Sequence, residues 1–426
     1  MKKWQKILLV LLVMLFCGGV ALSLPVVRNS LSWRLDQLRI RVVYALFPPE
    51  KEVFVPEASP QTPAALPTAT APAPTATLAP ELPTPTPQPT PTQLPQSVVL
   101  EGIQYTDQHN GWNNCGPANL TMALSYFDWE GDMLDVAAVL KPFAEDKNVM
   151  PYEMADYVNT QTNLRAVVRQ GGTLEGVKNL IANQLPVLLE IGTFRIRDLN
   201  GKYSWMGHYQ VVNGYDDAAG EFILQDSYLT NGQNYRLSYD TLLAEWRSFN
   251  FIYVVIYPPE QETLVMNLLG ASADETAADR EAYAKASAEV YSLTGVDQVF
   301  AWYNRGTSMV RLQDYQGAAQ SYDEAFRLMS ALPEEQRPYR LPWYQTGPYF
   351  AYFYAGRYQD VINLADSVLE PLERTKKPYL EESFYWRARA KNAVGDVAGA
   401  IEDLRRSLEY HPGFTPSEEL LTALGG

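Results

Sequence analysis

A proline- and threonine-rich stretch at residues 56–96 most constrains how this chain of 426 residues can fold. The stretch contains no lysine or arginine, and the run Pro83-Thr84-Pro85-Thr86-Pro87 is typical of it. A segment of this composition cannot bury enough apolar surface to fold, and it favours an extended polyproline conformation. The chain therefore divides into a short N-terminal part and a larger C-terminal body. The linker between them spans on the order of 100 Å when it is extended at about 3.1 Å per residue.

An apolar segment, Ile7–Val27, precedes the linker and follows three lysines. It is long enough to cross a bilayer, and the lysines ahead of it favour an N-terminus in the cytoplasm. We therefore predict that residues 1–28 form a cytoplasmic start and a single transmembrane helix, which places the body on the extracytoplasmic side of the cell membrane. A cleaved signal peptide, cut near Ala21-Leu22-Ser23, is the alternative and predicts a secreted body.

Residues 29–55 lie between the predicted anchor and the linker. Within them, Ser30–Phe47 has the pattern of a short helix with leucine and valine on one side and arginines elsewhere. A helix of this kind lies on a membrane surface against anionic head groups. A solvated stalk explains the same pattern equally well, so both interpretations remain open.

The block Asn113-Asn114-Cys115-Gly116-Pro117-Ala118-Asn119-Leu120 places the only cysteine of the body at the start of a predicted helix. Pro117 suits a first helical turn because it lacks an amide hydrogen, and Gly116 is expected to let a substrate backbone approach closely. A thiol at a helix N-terminus feels the positive end of the helix dipole, which favours the thiolate. The block predicts a nucleophilic cysteine, with an inert buried cysteine as the alternative. Cys17 lies in the predicted membrane span, so Cys115 is expected to be a free thiol.

Residues 97–260 mix helical and strand patterns. Apolar residues at helical spacing predict helices, and continuous or alternating apolar runs predict strands. One predicted helix begins at Cys115, and four more cover residues 132–140, 151–159, 173–184 and 239–247. The predicted strands cover 164–169, 186–191, 208–215, 221–225 and 251–257, with a hairpin turn at Asp216–Gly220. Helices followed by an antiparallel sheet predict an α+β domain.

Three blocks of this domain carry a resemblance to a known family. They are Cys115-Gly116-Pro117-Ala118, the later Gly207-His208-Tyr209-Gln210-Val211-Val212-Asn213-Gly214-Tyr215, and Asp226 at the end of a strand. In this order they resemble the papain-like bacteriocin-processing peptidases, the thirty-ninth family of cysteine peptidases, and their single-domain relatives. The resemblance covers Val98 to Pro258 and implies a papain-like α+β cysteine peptidase fold.

The resemblance also implies a role for each of three residues. Cys115 is the nucleophile, His208 is its general base and acid, and Asp226 orients the imidazole, because a thiolate–imidazolium pair with a fixed tautomer forms an acyl-enzyme. Without the resemblance, His208 could equally be a structural histidine on a strand with its hydrogen bonds satisfied, and Asp226 could be a residue that caps a turn.

The chain departs from the family at the oxyanion donor, a glutamine that lies six residues before the cysteine. His109 occupies this position and Gln108 lies one residue earlier. We predict that a one-residue insertion in the loop lets Gln108 take the role of oxyanion donor. If it does not, the backbone amide of Cys115 is the donor that remains.

The C-terminal part is predicted to consist of helices. A bridge at residues 261–280 leads into residues 281–426, which show a tetratricopeptide-like pattern of small and aromatic residues in three units. The residues of this pattern are Trp302, Gly306, Ala318, Tyr322 and Ala325; Tyr349, Gly356, Tyr358 and Ala365; and Ala388, Gly395, Ala400, Leu404 and Pro412. Three stacked helix pairs are enough to form a core. A generic helical bundle is the alternative.

Together these features predict a membrane-anchored, extracytoplasmic thiol peptidase with a helical-repeat domain. We expect a protein or peptide substrate, an unknown protein partner bound through the repeats, and a membrane contact through the N-terminal helix. The net charge of −15 argues against a nucleic-acid binder, which needs a basic surface. The sequence shows no metal-ligand cluster and no phosphate loop, so we predict no cofactor. A catalytically inactive binding module, or an acyl transferase or amidase with the same triad, remains the alternative.

Overall fold

The computed structural model describes most of the body and a short N-terminal part. The described residues are 35, 38–51, 53–56, 94–110, 113–141, 143, 146, 148–197, 201–375 and 380–426. The predicted anchor at Ile7–Val27 and most of the linker lie outside these residues. Among the helices that the structure describes, none combines the length and the apolar character needed to cross a bilayer.

An antiparallel sheet of seven strands, which differ in length, forms the centre of residues 97–260. Its strands are β1 (Ser97–Val99), β2 (Arg165–Arg169), β3 (Val187–Thr193), β4 (Met206–Asp216), β5 (Glu221–Gln225), β6 (Tyr235–Ser238) and β7 (Tyr253–Tyr257). The strand order is β2-β7-β3-β4-β5-β6, and β1 pairs with the end of β4. Strand β3 is buried along its whole length, as its continuous apolar run predicts. The predicted hairpin joins β4 to β5, and Gly220 in its turn has a positive φ of 68°.

Five helices cover the sheet. They are α1 (Cys115–Ser125), α2 (Met133–Leu140), α3 (Pro151–Gln161), α4 (Leu174–Ala182) and α5 (Tyr239–Arg247). One core contains buried residues of α1 and α3 together with Leu188 and Val211 of the sheet. A second core contains buried residues of α4 and α5 together with Leu189 and Val255. Leu188 and Leu189 are consecutive, so the two cores lie on opposite faces of the sheet. The α+β prediction is confirmed.

The remainder of the described chain is helical. Its helices are α6 (Glu262–Leu269), α7 (Glu275–Ser292), α8 (Gly295–Arg311), α9 (Tyr315–Ala331), α10 (Leu341–Tyr344), α11 (Gly347–Tyr354), α12 (Tyr358–Arg374), α13 (Glu381–Ala393), α14 (Val397–Tyr410) and α15 (Thr415–Ala423). Residues 261–280, predicted as a bridge, are mostly helical because α6 and the first turns of α7 lie there. We call residues 262–426 the helical region.

Two of the predicted repeat units start their second helix in the same way. Asp314 accepts a hydrogen bond from the backbone N–H of Gly317 at the start of α9, and Asp396 accepts one from Gly399 at the start of α14, each at 2.9 Å. An aspartate at this position satisfies a backbone donor that has no partner within the helix. The second unit has Arg357 at the equivalent place, where no side chain caps α12. The helical region is therefore consistent with helical repeats, of which the second departs most from the pattern.

The helical region packs directly on the sheet domain. Trp205, just before β4, stacks on Phe249 at 5.8 Å between ring centroids and also contacts Phe300 of α8 at 5.9 Å. The buried Arg340 donates to Ser204 Oγ at 2.6 Å and to the carbonyl of Trp205 at 3.0 Å. One hydrophobic core therefore includes residues of both parts.

Candidate active site

Cys115 is the first residue of α1 and is half-buried. The preceding residue, Asn114, is held by Lys141, whose Nζ donates to Asn114 Oδ1 at 2.8 Å. Pro117 lies in the first helical turn, as predicted. The expectation for Gly116 is wrong, because the residue is buried and faces protein rather than an open cleft. A Cβ added to Gly116 would lie 3.2 Å from Val149 Cβ, so packing against this loop explains why a glycine suits the position.

The structure brings His208 and Asp226 together with Cys115. His208 lies on β4 with 2% of its surface exposed, and its Nε2 lies 3.0 Å from Asp226 Oδ1. The Cys115 thiol lies close enough to the same imidazole to raise its pKa. Asp226 follows the last residue of β5, which pairs with Val211 on β4, and this register brings the carboxylate next to His208.

The pair His208–Asp226 holds its proton on the histidine. Burial lowers the pKa of His208, but the charge of Asp226, its hydrogen bond and the neighbouring Cys115 together raise that pKa to about 10. Burial also raises the pKa of Asp226, yet the charge of His208 and hydrogen bonds from His208, Gln210 and Tyr228 bring it well below its usual range. At neutral pH the site therefore contains an imidazolium beside a carboxylate.

Gln210 is a member of this cluster that the sequence analysis did not single out. It is fully buried, and its Nε2 donates to Asp226 Oδ2 at 2.7 Å. Residues two apart on a strand lie on the same face, so Gln210 follows from the position of His208 on β4. That spacing is the signal in the sequence that could have identified it.

Gln108 lies in a short turn of 3₁₀ helix, Gln108–Asn110, next to the start of α1. Its Oε1 accepts a hydrogen bond from Ser227 Oγ at 2.8 Å, and its backbone N–H donates to the carbonyl of Ser227 at 3.1 Å. Asn119, one turn after Cys115, donates to the carbonyl of Cys115 at 2.9 Å and to Ser227 Oγ at 2.8 Å. Ser227 thus connects Gln108 to the cysteine helix. Oε1 of Gln108 is directed at Ser227, and the amide Nε2 is the side-chain donor of Gln108.

His109 occupies a different environment. Its ring nitrogen Nδ1 lies 2.6 Å from Asp107 Oδ1, and both side chains are about half exposed to solvent. The ring also packs near Tyr228, with 5.0 Å between ring centroids. These contacts turn His109 toward the surface, whereas Gln108 is linked through Ser227 and Asn119 to the helix that begins at Cys115.

A buried carboxyl also lies close to the cysteine. Glu190 on β3 is paired in register with Tyr209 on β4. Burial raises the pKa of Glu190 well above its usual value, an interaction with the Tyr209 side chain opposes the shift, and Cys115 adds to it. Burial therefore favours the neutral form of Glu190. Glu190 carries no pattern that marks it in the sequence.

The helical region contributes a side chain to the edge of the site. Tyr344, the last residue of α10, lies against Gly207, and a Cβ added to Gly207 would lie 3.1 Å from its ring. Burial raises the pKa of Tyr344 to about 12, with Arg340 and the Gly207 backbone opposing the shift and Cys115 adding to it. Tyr344 thus lies within electrostatic range of the thiol and next to the residue that precedes His208.

The fold and the cluster around Cys115 define a cysteine-peptidase-like domain. Residues 100–254 match the model of the Peptidase_C39 like family. This match includes Cys115, His208, Asp226 and Gln108 and confirms the resemblance to the thirty-ninth family for this part of the chain. No curated protein matches the chain.

A solved structure from Bacillus anthracis, described as a C39-like peptidase, is also similar to this chain. It shares 17% sequence identity, and the match covers 38% of this chain and 96% of that one, with a TM-score of 0.32.

Among the described residues, no group of three or more histidine, cysteine, aspartate or glutamate side chains is arranged to hold a metal ion.

Proposed function

We propose that this protein is a thiol peptidase that cleaves peptide bonds through an acyl-enzyme on Cys115. The observation that carries the proposal is the position of His208, which is buried between the Cys115 thiol and the carboxylate of Asp226. An imidazole in this position exchanges a proton with the thiol, while the carboxylate fixes the orientation of the ring.

The reaction follows from this arrangement. The Cys115 thiolate attacks the substrate carbonyl, and the protonated His208 then donates its proton to the departing amine. His208 then takes a proton from water as the water attacks the thioester, the acid product forms, and the departing Cys115 thiolate and protonated His208 are regenerated. Asp226 accepts a hydrogen bond from Gln210 at 2.7 Å and engages Nε2 of His208, which leaves Nδ1 of His208 to exchange a proton with the sulfur. Gln108 Nε2 and the backbone N–H of Cys115 are the donors to the oxyanion.

Two further assignments belong to the proposal. Residues 7–27 anchor the chain in the cell membrane with the body on the extracytoplasmic side, and the helical region binds a protein partner or the substrate. Support for the anchor comes from the apolar character of the segment and the lysines before it. Protease added to intact cells should reach the body, whereas recovery of the body in the cytosolic fraction would contradict the assignment.

Active-site labelling combined with peptide turnover tests the chemistry. Iodoacetamide or an epoxide should modify Cys115 in the full chain, Cys115→Ala should abolish the labelling, and His208→Ala should slow it strongly. The labelled protein should also cleave a peptide library. Labelling without any hydrolysis would identify a binding module with a reactive thiol. Faster product formation with added amine acceptors than with water would identify an acyl transferase. Equal labelling of the wild type and Cys115→Ala would contradict the proposal as a whole.

A further inference from the structure

The described part of the chain before the linker packs on the helical region. We call residues 38–56 the N-terminal segment; residues 38–46 are helical and residues 53–56 have no regular secondary structure. Ile40, Tyr44 and Phe54 of this segment are buried, and Phe54 belongs to the same hydrophobic core as helices α9 and α12. Segments that precede a linker are usually free of such contacts, so this packing calls for an explanation.

Phe54 is the centre of the contact. Its ring meets the edge of Phe326 on α9 at 5.0 Å and Tyr352 on α11 at 5.9 Å between ring centroids. Phe54 is 7% exposed, whereas its neighbour Val55 is 60% exposed, so Phe54 faces the body and Val55 faces solvent. The groove is also lined by Met329, Trp343, Val368 and Pro371, and only a cavity of about 20 Å³ remains beside the segment.

The helical part of the segment makes a second contact. Arg39 donates to the carbonyl of Arg374 at the end of α12, at 3.4 Å, and the guanidinium of Arg374 lies over the ring of Phe47 at 4.8 Å. The contact therefore extends from residue 39 to residue 54 along one side of the helical region.

The opposite side of the same helix remains apolar and exposed. Leu38, Val42 and Leu46 recur at helical spacing, and each exposes more than half of its surface. One apolar side of the helix thus packs on the body, and the opposite apolar side is exposed. This arrangement fits a helix that lies between the body and a membrane surface.

The far end of the linker is fixed to the body as well. The carbonyl of Pro95 accepts a hydrogen bond from Tyr215 Oη at 2.9 Å, and the carbonyl of Gln96 accepts one from Asp217 N–H at 2.9 Å. Strand β1 follows at once and pairs with β4. The residues on both sides of 57–93 are thus attached to the same folded body.

We propose that the N-terminal segment is an intramolecular ligand of the helical region, and that the linker is a loop closed at both ends rather than a spacer. The groove around Phe54 binds a short segment with aromatic and aliphatic side chains, and the chain itself supplies that segment. The linker then does not hold the body on the order of 100 Å away from the membrane. The docked segment holds the body beside the predicted anchor instead. This inference does not depend on peptidase activity.

Cutting the linker distinguishes a docked segment from a free one. The full chain carries an N-terminal affinity tag, a recognition sequence for a specific protease inserted within residues 57–93, and Cys115→Ala to exclude self-cleavage. After cutting in detergent solution, capture of the tag should retain the body. Phe54→Ala should release it and weaken the association of the two fragments by about tenfold or more, because an aromatic side chain buried in the contact is lost.

Val55→Ala is the matched control, since this neighbour is exposed, and it should retain the body. A synthetic peptide of residues 47–56 should displace the N-terminal fragment, while the same peptide with Phe54→Ala should not. Release of the body from the tagged chain, from Phe54→Ala and from Val55→Ala alike would overturn the proposal. Retention by all three alike would overturn the assignment of the groove around Phe54.

Discussion

At the residue scale, the charge on His208 depends on neighbours from three separate elements. Asp226 follows β5, Gln210 lies on β4 beside His208, and Cys115 begins α1. Burial alone would remove the proton from the imidazole, and the carboxylate reverses this effect. The protonation of His208 is therefore sensitive to the loss of one charge.

Removing the charge of Asp226 should change the pH profile of the enzyme. In the wild type, turnover should fall as the pH rises through about 10, because His208 then loses the proton that the departing amine requires. In Asp226→Asn, the charge of Asp226, which is the largest opposition to burial, is lost, so the pKa of His208 falls and the alkaline limb of kcat/KM should move to lower pH. Asp156→Asn, which changes an exposed aspartate on α3, should leave the profile unchanged. An unshifted limb in Asp226→Asn would contradict this assignment.

The two neighbours Gln108 and His109 should differ sharply when each is replaced by alanine. Loss of an oxyanion donor typically lowers turnover by about 10²–10³. Gln108→Ala should have this effect on turnover while labelling of Cys115 persists, since labelling reports the thiolate and not the tetrahedral intermediate. His109→Ala should have little effect, because its ring pairs with Asp107 at the surface. The opposite ranking would assign the role to His109.

At the scale of elements, an acidic cluster lies between the helical region and the sheet domain. Burial raises the pKa of Asp146 and of Glu153 to about 7, and that of Glu382 on α13 to about 8. The negative charges of neighbouring carboxylates raise these pKa values as well. His411 nearby pairs with Glu381 at 3.1 Å. Carboxyls with a raised pKa in the folded state stabilise it fully at low pH, and this contribution is lost as the pH rises toward 8.

Glu382→Gln should therefore make stability less dependent on pH. An amide neither gains nor loses a proton, so the variant should be more stable than the wild type at pH 8 and similar at pH 5. The melting temperature at pH 8 should rise by a few degrees, since 1 kcal/mol corresponds to about 2–4 °C in a protein of this size. Glu419→Gln on the exposed side of α15 serves as the control. Thermal denaturation at both pH values measures the effect, and parallel curves for all three proteins would refute it.

The secondary structure of the sheet domain follows closely from sequence patterns. The apolar run of β3 and the hairpin at Asp216–Gly220 depend on local chemistry, so they could be predicted. The strands β1 and β6 were not predicted. Each has only three or four residues, and the pattern of β6, Tyr235-Arg236-Leu237-Ser238, resembles a polar loop.

The candidate site could be predicted only as far as its motifs extend. Cys115, His208 and Asp226 stand in recognisable blocks, and the structure brings them together. Glu190 and Tyr344 could not be predicted, because their positions near Cys115 arise from strand register and from the docking of α10. Contacts of this kind depend on the tertiary fold and leave no local signal in the sequence.

At the scale of the whole molecule, the helical region and the sheet domain share a core rather than a flexible joint. Trp205 is completely buried between Phe249 of one part and Phe300 of the other. Tyr344 on the helical side contacts Gly207, the residue before His208. Movement of the helical region would therefore disturb the strand that carries His208, so the two parts are expected to unfold together.

Arg340 offers a direct test of this coupling. Its side chain is 4% exposed and donates to Ser204 Oγ and to the carbonyl of Trp205, so Arg340→Ala removes two buried hydrogen bonds between the parts. The expected loss of stability is about 2–3 kcal/mol, with a lower melting temperature and slower labelling of Cys115. Arg327→Ala breaks an exposed ion pair with Glu324 and should cost less than about 1 kcal/mol. Calorimetry should show one cooperative transition for the wild type and for Arg327→Ala. If Arg340→Ala shifts only a separate helical transition and leaves labelling unchanged, the two parts fold independently and the shared core does not couple them.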